Sequence, residues 1–515
     1  MKTLKNIFLL ISLISFVSCE ENLTFKDYNK MPQAEFWQTK THAEQALTAI
    51  YGSFSSDWAY YDPTVLGPEQ MASDETSKGS TAGSQADLNS FIDFSFTPAL
   101  ARFDNLWKSR YGTINLCNQV IEYVPNINMA EADKKQIIGE AKFIRAYLYF
   151  ELTRLFGEVI IYDGLPKGNV YDIPKSSVED VYALILTDLK YGYENMRKTA
   201  WDNTWKGRVT AWAARALESK VLMYMASGNL FMENGQAIGG KTWNDVKTVT
   251  NDVITNGIYN LFTAKGDSSF FYLYRLENEN CVESIFESQN SVSNTTTSVN
   301  TSAYALNAWI KSGRDGGFGY SVPSDTLVAV WKKRYNEQND KRYKYSVIFK
   351  GEIQSDGDVA DGAAAVDGIT GTPRYNYKVF VPKNQRSPLK GGGWIKQFEQ
   401  NQRFLRFAEV LLIDAEAKVR TNDLAGAMIS INKIRKRAGE PEFTQTSQVT
   451  LQAVLDERRF ELAFENDRYF DLIRTGQAST VLAYKGWKSP KNIFYPIPQT
   501  QIDLSNKILT QNKYW

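Results

Sequence analysis

The sequence predicts a mostly α-helical chain, built from irregular helix pairs with long loops and a few short strands. Three observations carry this. Apolar residues recur at helical spacing in several separate segments. A charged block near the C-terminus keeps a helical period from Leu455 to Gly476. The stretch from about 260 to 400 loses that period and turns to Gly, Ser, Thr, Asn and Asp.

The first clear helical face is Ile137, Ala141, Ile144, Leu148, Leu152 and Leu155, with Gly157 as its stop. Ser176 and Glu179 have capping-box spacing and open a helix whose face is Val178, Val181, Ile185, Leu189 and Met196. Ala213, Leu217, Val221 and Tyr224 define a third helix, and Trp243 to Ile254 a fourth. Leu405, Ala408, Leu412, Ala415 and Val419 define a fifth. Thr421-Asn-Asp423 turns it into a partner carrying Met428, Ile431 and Ile434. No fixed repeat length is visible, and periodicity alone suits a generic helical bundle equally well.

Between the fourth and fifth helices, Ser288–Ser302, Gly351–Thr372 and Gly391-Gly-Gly393 read as surface loops. Short strands are predicted at Tyr345–Phe349 and Tyr377–Val381. The block Leu455–Gly476 reads as one helix. Glu465, Arg468, Asp471 and Arg474 fall at i, i+3 steps, and Leu455, Leu462 and Tyr469 form an apolar seam. Charges this dense among aromatics predict a buried, paired network; a solvated charged face is the alternative.

The chain starts with Lys2 and Lys5, an apolar run from Ile7 to Ile14, and Phe16-Val-Ser-Cys19. A membrane-spanning helix needs about 20 apolar residues, so the run is too short for one. Residues 1–18 are read as a lipoprotein signal peptide, with Cys19 as the lipidated N-terminus. Ordinary secretion is the alternative. There are 59 Lys+Arg against 58 Asp+Glu, so net charge gives no reason to expect a nucleic-acid partner. One histidine, His42, and no cysteine pair at ligand spacing argue against a zinc site or a histidine-dependent triad. Cys117 reads as a small core residue, and its pairing with Cys281 is left open. Asp356, Asp358 and Asp361 fail the EF-hand pattern, because Ala360 stands where a ligand is needed.

Four C-terminal blocks carry a family resemblance: Arg403–Ala417, Ile431–Gly439, the charged block, and Phe494-Tyr-Pro-Ile-Pro498 followed by Leu509-Thr-Gln-Asn512. In this order and spacing they resemble the SusD/RagB family of nutrient-binding outer-membrane lipoproteins. Trp107–Val124 and Glu140–Gly157 resemble the same family more loosely. The resemblance implies tetratricopeptide-like helix pairs, with an N-terminal helical region over 19–260 and a C-terminal region over 261–515 that holds the loop-rich insertion. It also implies a surface-exposed lipoprotein in the outer membrane that captures an oligosaccharide. Such a protein would pass its ligand to a SusC-like TonB-dependent transporter, with no cofactor, no metal and no catalytic residue. A peptide-binding member of the family and a secreted glycan-degrading enzyme are the rivals.

Two segments are candidates for the ligand surface. In Glu69–Phe94, Asp74, Glu75 and Lys78 precede a polar Gly/Ser stretch and then Phe91 and Phe94. In Tyr304–Tyr320, Trp309, Arg314, Phe318 and Tyr320 flank Gly313-Arg-Asp-Gly-Gly317. Trp309 and Tyr320 would stack on a sugar ring while Asp74 and Arg314 fork onto its hydroxyls. Local loop packing is the competing reading of each.

Overall fold

The computed structural model describes residues 36–53, 66–228, 236–290, 318–357, 359–360, 366–380 and 400–515. Cys19, Trp309, Arg314, Asp358 and Asp361 lie outside these residues.

The scaffold is an array of helices, each packed on its neighbour. It runs through α1 (Lys40–Gly52), α2 (Ala101–Tyr123), α3 (Glu131–Phe156), α4 (Val178–Asn195), α5 (Ala211–Ser227) and α6 (Trp243–Asn256). The chain then leaves the array for the region of loops and short strands. It returns with α8 (Phe407–Arg420) packed against α6 and α5, and continues into α9 (Leu424–Ala438) and α10 (Leu451–Glu461). Helix pairing is therefore continuous in space, although about 150 residues separate α6 from α8.

The predicted faces are the buried ones. Ile137, Ala141, Ile144, Leu148, Leu152 and Leu155 all point into the core, as do Val181, Ile185 and Leu189 on α4 and Ala213, Leu217, Val221 and Tyr224 on α5. The α4 cap lies one residue beyond the expected pair: Ser177 accepts from the Asp180 N–H and its hydroxyl donates to the Asp180 carboxylate. Leu405 sits on strand β6 (Arg403–Arg406) before α8, so the fifth helix starts later than its apolar spacing suggested.

Among the described residues there are three two-stranded antiparallel sheets, whose strands come from the intervening region except the first strand, which precedes α2. β1 (Thr76–Gly79) pairs with β3 (Tyr320–Pro323), β2 (Ser284–Glu287) with β6, and β4 (Val347–Phe349) with β5 (Arg374–Asn376). β4 falls within the predicted Tyr345–Phe349. The second predicted strand is displaced upstream, because Tyr377–Val379 is a 3₁₀ turn that follows β5. Helix α7 (Asp325–Gln338) follows β3, opened by the Ser324 side chain accepting from the Leu327 N–H.

The charged block is two helices. α10 ends at Glu461, Phe464 and Asn466 take left-handed φ values of 68° and 71°, and α11 spans Arg468–Arg474. The break has a physical cause: the carbonyls that would continue the helix are taken by other elements. Lys378 donates to Glu461 O and Ala463 O, Arg406 to Glu461 O, and Gln70 to Phe464 O. The charges likewise pair across elements instead of forming one ladder. Arg458 reaches Glu409 and Asp471, each at 2.7 Å, and Asp467 takes Lys220 at 2.8 Å and Arg154 at 3.2 Å. Glu461 takes Arg406 at 2.5 Å together with Arg437 and Arg342. Only Asp471–Arg474, at 2.7 Å, is a pair that the ladder anticipated.

The last residues close the fold. Tyr495 N–H donates to Leu155 O, and the Asn512 amide donates to Phe156 O and Tyr495 O, so the C-terminal motif latches onto the end of α3. There Gly157 has φ 75°, and a Cβ would meet the Phe494 ring at 3.1 Å. Cys117 is buried and unpaired, and Cys281 is also a free thiol. His42 lies in the first turn of α1, where its N–H donates to Thr39 and its ring stacks on Phe36.

Arg458→Met should lower stability by about 3–5 kcal/mol, because it strands buried carboxylates. Lys190→Met, which removes a solvent-exposed pair with Glu194, should cost less than about 1 kcal/mol. Urea unfolding of the two variants checks this; similar small losses in both would mean that the network does not hold the fold.

Candidate functional site

The first segment nominated from the sequence and the described end of the second meet in one sheet. Gly79 lies opposite Tyr320, Ser77 opposite Val322 and Thr76 opposite Pro323. At the open end of this sheet the Ser80–Asp87 loop projects outward, with Thr81, Ala82, Gly83, Gln85 and Asp87 exposed. A second loop runs beside it: Gly79 N–H donates to Asp367 O, Asp367 N–H to Ser80 O, and Ser80 N–H to Gly319 O. The result is a polar shelf carried on β1 and β3.

The shelf is fastened from beneath. Lys78 is fully buried and donates to Thr81 O at 2.7 Å and Ser84 O at 3.0 Å, while pairing with Asp367 at 3.2 Å. The Tyr320 and Ser84 hydroxyls share a hydrogen bond. Arg102 of α2 holds Asp87 through Nε at 2.5 Å and Gln85 through Nη2 at 2.6 Å. Ser80, Gln85 and Ser321 are non-glycine residues at positive φ (55°, 48° and 53°). Strained backbone of this kind persists only where its surroundings determine it.

Asp74 and Tyr320 are interior, which corrects their expected place on an exposed ligand face. Asp74 is 2 % exposed and both its oxygens are engaged, by Arg468 at 2.8 Å and Arg459 at 2.7 Å. Burial works against its charge, but the two guanidiniums outweigh burial and hold its carboxyl below the usual range. Tyr320 is 1 % exposed and supports the loop from below. Phe91 and Phe94 are core as well, in an aromatic cluster with Phe96, Phe103 and Tyr495. The Asp367–Thr370 loop is the part of the shelf that sequence reasoning missed. Its aspartate and glycine read as solvated loop, and nothing local signals a backbone ladder to Gly79 and Ser80.

Beside Asp74, burial pushes the Glu75 carboxyl up to about 7, against the pull of Arg468 and Arg459. Its Oε2 accepts the Phe464 N–H at 3.2 Å. Burial lowers Lys485 to about 8; its ammonium donates to Met71 O at 2.7 Å and to Ser73 O. In the charged block the direction reverses. Burial would raise Glu465, but Arg406 and Lys378 bring it down to about 2. Among the described residues, no group of three or more His, Cys, Asp or Glu side chains could hold a metal ion. A small pocket between Gln70, Tyr274, Lys378, Gln400, Arg403 and Glu465 has a cavity volume of about 40 Å³, room for water but not for a sugar. No helix among the described residues is long and apolar enough to cross a membrane.

Comparison with known proteins agrees across most of the chain. Residues 282–515 match the family model described as "SusD family", and residues 23–223 match one described as "Starch-binding associating with outer membrane". A SusD-like protein of Bacteroides ovatus is 26 % identical, covering 74 % of this chain and 67 % of that protein. A SusD-like protein of Formosa agariphila is 24 % identical, covering 99 % of both. Among solved structures, a SusD-like protein from Bacteroides fragilis superposes with a TM-score of 0.74 at 22 % identity, over 94 % of this chain and 99 % of that one. Surface glycan-binding protein A from Bacteroides thetaiotaomicron, solved in complex with laminarihexaose, gives 0.73 at 22 % identity, over 93 % and 100 %.

Glu75 sets a pH dependence. The unfolded chain loses this proton near pH 4.5, the ordinary glutamate value, and the fold keeps it to about 7. Between those values the fold binds more protons, so stability falls as pH rises through the window. Glu75→Gln should therefore lose less melting temperature between pH 5 and pH 7.5 than the parent. An identical decline in both would show that Glu75 is not the group responsible.

Proposed function

The chain belongs to the SusD family, and from that premise we propose that it is a surface glycan-binding protein of the outer membrane. In this reading it is anchored through a lipid on Cys19, captures an oligosaccharide outside the cell, and delivers it uncut to a SusC-like TonB-dependent transporter. The observation that carries the reading is the β1–β3 shelf. It unites the two sequence-distant segments nominated for ligand contact and presents exposed amide, carboxylate and backbone groups on a fastened loop. Groups of this kind fork onto sugar hydroxyls, and a support that is already ordered lowers the entropy lost on binding. In this reading, with Tyr320 beneath the loop, Trp309 is kept as the stacking ring and Arg314 as the forked cation.

Binding without turnover fits the carboxylates. Hydrolysis of a glycoside calls for two carboxyls facing each other across an open cleft, one of them raised to act as an acid. Here the densest carboxylates, Glu457, Glu461, Glu465 and Asp467, are lowered by arginine and lysine partners that outweigh their burial. Among the described residues the raised ones, Glu69 at about 8, Glu75 and Glu440 at about 7, and Glu287 and Glu409, are each 5 % exposed or less.

The purified protein should bind at least one member of a glycan panel in calorimetry and release no reducing sugar from it. Trp309→Ala should weaken that binding by about tenfold. Release of sugar would replace the reading with an enzyme, and binding of peptides in place of glycans would replace it with a peptide receptor. Separately, Cys19→Ala should abolish labelling by a fatty-acid analogue and free the protein from the membrane; unchanged labelling would overturn the anchor.

A further inference from the structure

We propose that the connection between α4 and α5 carries a second carbohydrate-stacking site, in which Trp205 takes the apolar face of a sugar ring. The proposal rests on the glycan-binding reading but shares no residue with the β1–β3 shelf. The connection reads Thr199-Ala-Trp-Asp-Asn-Thr-Trp-Lys-Gly-Arg208. Its two indoles and two guanidiniums form a stack. Arg197 lies 4.2 Å and Arg208 4.5 Å from the Trp201 ring, and Arg208 lies 5.1 Å from the Trp205 ring.

This stack is anchored in the core. Arg208 donates to Glu140 through Nε at 3.1 and 3.0 Å and through Nη2 at 2.6 Å, and Glu140 is fully buried on α3. Tyr51 of α1 donates to the same carboxylate at 2.8 Å. The Trp201 Nε1–H donates to Val209 O at 3.2 Å, so the inner ring is fixed in orientation. The side chain of Gln289 fills the space beside Gly207, where a Cβ would meet it at 2.2 Å. Trp205 is the outermost member. It is 38 % exposed, and no hydrogen bond engages its indole N–H among the described residues.

A ring held by a cation behind it and open to water in front loses little freedom when a ligand covers it. The exposed neighbours are Asp202, Asn203, Thr204 and Lys206, short or flexible polar groups around a single ring. That pattern matches a pyranose, which has one apolar C–H face and an edge of hydroxyls. A protein partner commonly buries about 800 Å² on each side around several apolar anchors, and one indole in a polar rim does not supply that.

The test uses the whole chain in detergent, labelled with 5-fluorotryptophan, with Trp205→Phe assigning the Trp205 fluorine resonance. Laminarihexaose, maltohexaose, mannohexaose and xylohexaose are the probes. At least one should move the Trp205 resonance saturably, and should still do so in the Trp309→Ala protein. In calorimetry on the Trp309→Ala background, adding Trp205→Ala should keep the melting temperature and weaken binding of that probe by about fivefold to tenfold, whereas adding Trp205→Phe should retain most of the affinity. If a hexasaccharide moves other tryptophan resonances while that of Trp205 stays fixed, the second site is overturned and the glycan-binding reading stands. If no probe moves any resonance and calorimetry is also silent, the glycan-binding reading fails and this site falls with it.

Discussion

The fold depends on the ion pairs that radiate from residues 457–474. Glu409, Asp467, Asp471 and Glu416 surround Arg458 and Arg474 on one side. Glu283, Glu461 and Glu465 surround Arg406 and Arg437 on another. Glu440, Glu457 and Asp340 surround Arg334, Arg342 and Arg435 on a third. These partners come from α7, α8, α9, β6, the short helix Arg342–Ser346 and the loops between them. Charges taken out of water are tolerated only when they are paired and hydrogen-bonded, so each cluster is complete only when every contributing element is in place. The helical array, the short strands and the C-terminal helices are therefore mutually dependent.

The same block, together with Lys485 after it, positions the candidate site. Arg459 and Arg468 hold Asp74, Gln70 bonds Phe464 O, and Lys485 takes the carbonyls of Met71 and Ser73. All of these contacts fall on the π-helical turn Leu66–Met71 and the residues leading into β1. Apolar packing is non-directional, whereas a guanidinium on a carboxylate fixes both distance and orientation. A loop that must present its groups in one arrangement is better served by the second kind of contact. Asp74 thus matters to the site as a support for β1, not as a surface that meets ligand.

Much of the helical array was legible because apolar residues recur at 3.6-residue spacing, as Val181, Ile185 and Leu189 on the one-sided α4 illustrate, whereas α3 is buried on every side from Phe143 to Phe156, which its apolar spacing did not convey. The charged block was legible as a buried network but not as two helices. Its break is made by Lys378, Arg406 and Gln70, which come from elsewhere in the chain, and the only local sign was Asn466, a residue that tolerates left-handed backbone. The candidate site was legible only as two separate segments. Their pairing through Gly79 and Tyr320 spans about 240 residues, a contact that no local pattern encodes. Exposure was the quantity the sequence conveyed least well. Asp74 and Tyr320 look like ligand groups by residue type, yet Arg459, Arg468 and Ser84 claim them. Trp205 sits in a short polar connection and drew no notice, although a tryptophan among Asp, Asn, Thr and Lys was a usable signal.

A division of labour follows from where polar groups are spent. In the array, polar side chains close helix ends or complete ion clusters, and the helices gain most of their stability from apolar faces. On the β1–β3 shelf the balance reverses. Lys78 is wholly buried so that its ammonium can hold carbonyls of a loop whose outward side carries Thr81, Gln85 and Asp87. Taking a lysine out of water is costly, and the contacts it gains serve a surface loop more than the core. The connection before α5 repeats the arrangement, with buried Glu140 fixing Arg208 beneath an open indole. In both places a charge in the interior immobilises a group at the surface. Rigid surface groups of this kind are most useful to a protein that must hold flexible, hydroxyl-rich chains, because the protein's share of the ordering cost is met when it folds.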